Sequence, residues 1–132
     1  MELKKFTFDI RWVGVGFCFF VTLHLFPGYL MYQLRNIFPA FSVIYTGWMF
    51  GGTAFVGFLI GYRSRGVTVL EAAAAAILYS LVFLAAVDVM WGTPVKMYVT
   101  FWIYTIFAIA TLSAALGEVV QAMKEKRKEA TK

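Results

Sequence analysis

Charged side chains divide this chain into long apolar stretches. Between Arg11 and Arg35 lie 23 residues with no Asp, Glu, Lys or Arg (12–34), between Arg35 and Arg63 lie 27 (36–62), and between Lys96 and Glu118 lie 21 (97–117). The gap from Glu71 to Asp88 is 16 residues, but both acids can sit at the ends of a longer helix. A hydrocarbon layer about 30 Å thick needs roughly 20 helical residues, so each stretch can cross it once. Barrel strands would be about half as long and would alternate polar with apolar, which these stretches do not. The pattern predicts an all-α integral membrane protein with spans at about 12–34, 42–62, 69–90 and 94–117, followed by a basic helical tail over 118–132.

The connections carry helix punctuation. Asn36 to Pro39 reads as a first loop, with Ser42 placed to cap the second span. Thr68 and Glu71 have capping-box spacing, so the Glu71 carboxylate can reach back to the start of the third span. Thr93 before Pro94 reads as a cap preceding a proline at the first helical position. Short loops predict antiparallel consecutive neighbours, as in a four-helix up-down bundle.

Charge supplies the direction. The N-terminus (Lys4, Lys5, Arg11), the second loop (Arg63, Arg65) and the tail (Lys124, Lys126, Arg127, Lys128, Lys132) hold ten of the 12 Lys and Arg; the other loops hold only Arg35 and Lys96. The positive-inside rule then predicts both termini in the cytoplasm, N-in and C-in, as an even number of spans requires. The first apolar stretch is too long for a signal peptide and no small-x-small cleavage site follows it, so it is expected to remain as a span.

Composition agrees: 61% of residues are hydrophobic and 14% charged, against roughly 45–50% apolar and 25% charged in soluble domains. A soluble core of this size could not hide so much apolar surface. The net charge of +5 is spent on topology, and no nucleic-acid partner is expected. Cys18 is the only cysteine, which excludes an intrachain disulfide and a cysteine-based zinc site.

The second span carries the strongest local pattern. Gly47, Gly51, Ala54, Gly57 and Gly61 fall on or beside one helical face and form two small-x-x-x-small pairs. Such faces let another backbone approach closely. The expected partner within the chain is the slim Ala72 to Ala76 run of the third span; a seam between copies is the alternative.

His24, the single histidine, lies near the middle of the first span, three residues before Pro27. Proline cannot donate to the Leu23 carbonyl, so the helix is expected to kink there, with Gly28 easing the bend. A polar ring beside such a kink is a candidate proton, ion or cofactor site. Thr22, Thr53, Tyr79 or Ser80, and Tyr104 or Thr105 share its depth, and His24, Thr53, Ser80 and Thr105 could line a polar path. The same groups could equally hold a neutral His24 in a purely structural network.

The remaining signals are peripheral. Of eleven Trp and Tyr, seven fall toward the predicted outer side: Tyr29, Tyr32, Tyr45, Trp48, Trp91, Tyr98 and Trp102. They read as an anchor or a contact surface for another subunit, in preference to a docking surface for a quinone or pigment, because aromatics alone name no ligand. Asp88 is placed to pair with Lys96 or Arg35 at the outer boundary, or alternatively to mark an entrance for cations.

The sequence holds no catalytic set of Ser, His and Asp, no paired carboxylates, no phosphate-binding glycine loop and no metal-ligand spacing, so neither catalysis nor a cofactor or metal is predicted. The eleven residues from Gly61 to Glu71 have the character of segments in small bacterial membrane proteins but carry no function with them; a bacterial inner membrane is the expected location. The expected function is that of a non-catalytic accessory or assembly subunit of a larger membrane complex, or a homo-oligomer, acting by helix packing in the lipid bilayer. The alternative is a minimal oligomeric transporter or channel with a midplane path around His24.

Overall fold

The computed structural model describes the backbone of residues 8–34, 40–63, 69–91 and 96–130, with side chains described for most of these. The elements are α1 (Ile10–Phe20), a single π-helical turn (Val21–Leu25), α2 (Phe26–Leu34), α3 (Phe41–Arg63), α4 (Val69–Trp91) and α5 (Lys96–Ala130). Four helical stretches are long and apolar enough to cross a membrane: Ile10–Leu30, Val43–Arg63, Val69–Ala86 and Phe101–Ala130. The described part of the protein is all-helical with four candidate spans. Asn36, Pro39, Arg65, Thr68, Thr93 and Pro94, which carry the predicted loops and two of the caps, lie outside the described residues.

Where a kink is expected beside Pro27, a single π turn precedes the proline and joins α1 to α2 without a break, the three forming the first rod. Asp9 caps α1 by accepting from the Arg11 amide at 2.9 Å. The last helix does not stop after the apolar stretch: α5 is 35 residues long, about 52 Å at 1.5 Å per residue. That exceeds a hydrocarbon layer of about 30 Å.

Register pairs give the relative directions. Glu71 meets Asp9, Ala75 lies beside Gly16, and Tyr79 stacks on Phe20, so α1 and α4 run parallel. Trp102 stacks on Phe50, Ala110 meets Gly57 and Ala114 meets Gly61, so α3 and α5 also run parallel. Ile60 lies against Gly16, while Tyr45 reaches Gly28, so the first rod and α3 run antiparallel. Asp9, Tyr62, Glu71 and Lys124 therefore share one end of the molecule.

Two of the three consecutive pairs of spans pack together as expected, the first rod with α3 and α4 with α5; the third does not. The most extensive contact is between α3 and α5, followed by α4 with α5 and α1 with α4, whereas the consecutive α3 and α4 touch far less. Water does not drive helices together inside lipid, so close van der Waals packing between small residues selects the neighbours. Here Ala110, Ser113, Ala114 and Gly117 give α5 a slim face that matches Gly57 and Gly61. A methyl group at Gly57 or Gly61 would run into the α5 backbone, and one at Gly117 would run into the backbone of Phe58 and Tyr62. The Ala72–Ala76 run is almost wholly buried but presents Ala75 to Gly16 of α1, not to the α3 glycines.

Candidate functional site

Two features of the sequence converge on one region, where the π turn faces the middle of α3. His24 is completely buried. Its Nε2 lies 3.1 Å from the Met49 carbonyl oxygen; a carbonyl only accepts, so Nε2 carries the proton and donates. Thr53 Oγ1 donates to the same oxygen at 2.7 Å. Gly52 makes room for the imidazole, since a Cβ there would stand 3.1 Å from Nε2. The ring lies between Phe20 and Tyr79, with centroids 5.6 and 5.1 Å away.

The backbone of the turn is satisfied from across the interface. Pro27 has no N–H to offer the Leu23 carbonyl, and the Trp48 indole N–H donates to that oxygen at 2.7 Å. Tyr45 donates its hydroxyl to the His24 carbonyl at 3.3 Å. Gly28 is needed beside it, because a Cβ at that position would stand 2.6 Å from the Tyr45 oxygen. His24 thus donates to the α3 backbone while two α3 aromatics donate to the backbone around His24. Among the described residues, His24 Nδ1 and the Tyr79 hydroxyl are buried without a hydrogen-bond partner.

Two of the four residues of the proposed polar path share a hydrogen-bond acceptor, and the other two bond within their own helices. His24 and Thr53 meet at the Met49 carbonyl. Ser80 donates to Ala76 O and Thr105 to Phe101 O, each at 2.8 Å and each within its own helix. Thr22 does the same with Cys18 O, and Tyr104 points outward. Ser and Thr hydroxyls within helices commonly turn back on the preceding turn in this way.

The glycine face of α3 is divided. Gly57 and Gly61 are buried against α5, and Ala54 is half-buried. Gly47 and Gly51 are exposed, and a Cβ added to either meets nothing within 4 Å among the described residues. They floor an open apolar groove of about 560 Å³, with Leu23, Ile44, Trp48, Gly52 and Phe55 around them.

The aromatic residues expected at the outer side divide as well. Tyr45 and Trp48 serve the π turn, Trp102 stacks on Phe50 with centroids 5.5 Å apart, and Tyr29 is exposed. The side chains of Tyr32, Trp91 and Tyr98 lie outside the described residues, as do those of Asp88 and Lys96 and the whole of Arg35. Glu71 is completely buried, and its Oε1 accepts from the Asp9 amide at 2.9 Å. The carboxylate therefore serves the start of α1, a role that its spacing from Thr68 does not reveal. Among the described residues, no three His, Cys, Asp or Glu side chains come together as a metal site.

No known family model matches the chain, and no curated protein or solved structure is significantly similar to it.

Proposed function

We propose that this chain is a non-catalytic membrane subunit that holds a transmembrane helix of a partner in the groove floored by Gly47 and Gly51. The partner belongs to a larger complex or is a second copy of the chain. The observation that carries this reading is the division of the glycine face. Its Gly57 and Gly61 half is consumed by α5, while the Gly47 and Gly51 half stays open beside Trp48 and Phe55. Small-residue faces let helices approach closely enough to associate in lipid, and the open half offers that surface outside the protein's own core.

The alternating directions of the four spans agree with an up-down arrangement. Arg11, Arg63 and the basic residues near the C-terminal end of α5 (Lys124, Lys126, Arg127 and Lys128) lie toward one end, which supports a cytoplasmic location for that end and for both termini in a bacterial inner membrane. The transporter alternative draws support from the unpartnered Nδ1 of His24. The hydroxyls of Ser80 and Thr105 turn back on their own helices, and this favours the packing reading.

Purification of the wild type in mild detergent at native expression is expected to bring down a stoichiometric membrane partner or a second copy. Gly47→Leu/Gly51→Leu is expected to be recovered alone with unchanged helix content. A wild-type protein recovered as a lone monomer, with no crosslinked partner in cells, overturns the reading.

A further inference from the structure

We infer that the basic end of the α3–α5 seam binds the phosphate of an anionic phospholipid. Four side chains make the site. The Tyr62 oxygen accepts from Lys124 Nζ at 2.7 Å, and the ammonium stands 5.4 Å from the ring centroid. Together the two distances place the ammonium nearly in line beyond the phenol oxygen, and not over the ring face. Arg63 and Lys128 also bring their positive charge to bear on this phenol.

The donor inventory selects the ligand. Lys and Arg side chains only donate, and a tyrosine that accepts from lysine keeps its own O–H to donate. Tyr62, Arg63, Lys124 and Lys128 therefore present N–H and O–H groups and three positive charges to one locality, the arrangement that recognises a phosphate oxyanion. Lys124 and Lys128 are one helical turn apart on α5, while Glu125 and Glu129 sit about 100° further round the helix. Glu118 also lies on α5, two turns before Glu125.

The position selects the source of the phosphate. Tyr62 and Arg63 end the candidate span Val43–Arg63, where the headgroup layer begins. Directly beneath, Phe58 stacks on Tyr62 with centroids 6.0 Å apart and rings inclined by 7°. Phe58 is exposed, as are Leu116 and Val120 on α5. An apolar ring, an amphipathic ring and a set of cations thus follow one another from the membrane interior to its surface. A phospholipid matches that order along its length; a free phosphate uses only the last part.

The test is native mass spectrometry of the full chain equilibrated with dioleoyl phosphatidylglycerol or dioleoyl phosphatidylcholine. The wild type is expected to retain phosphatidylglycerol preferentially. Lys124→Gln and Arg63→Gln should each lower that retention roughly fivefold, as the loss of one interfacial cation implies. Tyr62→Phe should lower it as well, and Lys126→Gln, on the other side of α5, should leave it unchanged. Helix content by circular dichroism verifies that each variant is folded. Equal retention of the two lipids overturns the inference, and so does an equal loss in Lys126→Gln and Lys124→Gln. Displacement of phosphatidylglycerol by millimolar inorganic phosphate would identify a free-anion site and would also overturn it.

Discussion

Trp48 donates its indole N–H to the Leu23 carbonyl at 2.7 Å, supplying from α3 the hydrogen bond that Pro27 removes from the first span. A buried or lipid-facing carbonyl without a donor is costly, because the bilayer core has no water to replace it. The first span can therefore carry a proline near mid-membrane, and α3 is tied to it at the same point.

Trp48→Phe keeps an aromatic ring and deletes the donor. It is expected to cost about 1–2 kcal/mol of stability in a reversible detergent unfolding titration. In a Pro27→Ala background, where an amide is restored, the penalty should shrink by about 0.5 kcal/mol or more. An unchanged unfolding midpoint for Trp48→Phe would show that the hydrogen bond contributes nothing.

The divided glycine face predicts opposite results for the same substitution in one helix. Gly61→Val puts a branched side chain into the Ala114 backbone, and little folded protein is expected. Gly47→Val enters open space, and the isolated chain should keep its stability to within about 0.5 kcal/mol, as surface substitutions usually do. Similar losses at both positions, measured by thermal unfolding of detergent-purified protein, would mean that the open half is occupied within the chain.

These cases show how much could be read from the residues. The four spans follow from the spacing of charges, and the break in regular helix follows from Pro27. The partners do not. Pro27 announces a lost hydrogen bond but not which donor replaces it, and Trp48 and Tyr45 resemble ordinary interfacial aromatics until α3 is laid against the turn. The partner of Gly57 and Gly61 was signalled by the small residues Ala110, Ser113, Ala114 and Gly117, a weaker pattern than the Ala72–Ala76 run that drew attention instead. In lipid the choice depends on how two surfaces interlock, and single-helix periodicity does not contain it.

Glu71 accepts from the Asp9 amide while the Asp9 side chain caps α1, so the two halves of a capping arrangement come from different helices. Glu71→Gln keeps a carbonyl oxygen in place and should remain close to wild type. Glu71→Ala leaves the amide unpaired and is expected to cost about 1–3 kcal/mol. Amide hydrogen exchange at Asp9 and Arg11 should quicken in the alanine variant alone. Fast exchange in both variants would show that the charge, not the hydrogen bond, holds α1.

Tyr79 presents the reverse case. Its ring is packed against Phe20, His24 and Phe83, but its buried hydroxyl has no partner among the described residues. Removing an unsatisfied polar atom while keeping the ring should be neutral or stabilising, by up to about 1 kcal/mol. Tyr79→Phe is expected to unfold at or above the wild-type midpoint in the same titration, and a loss larger than about 1 kcal/mol would place a hydrogen-bond partner at that oxygen.

The claim that the open groove receives a foreign helix is tested most directly in living cells. A photo-activated crosslinking residue is placed at position 51, in the groove, or at position 81, where Leu81 of α4 is exposed. Position 51 should give a discrete protein adduct on illumination, whereas position 81 should give none. Lipid adducts alone at both positions would contradict the account.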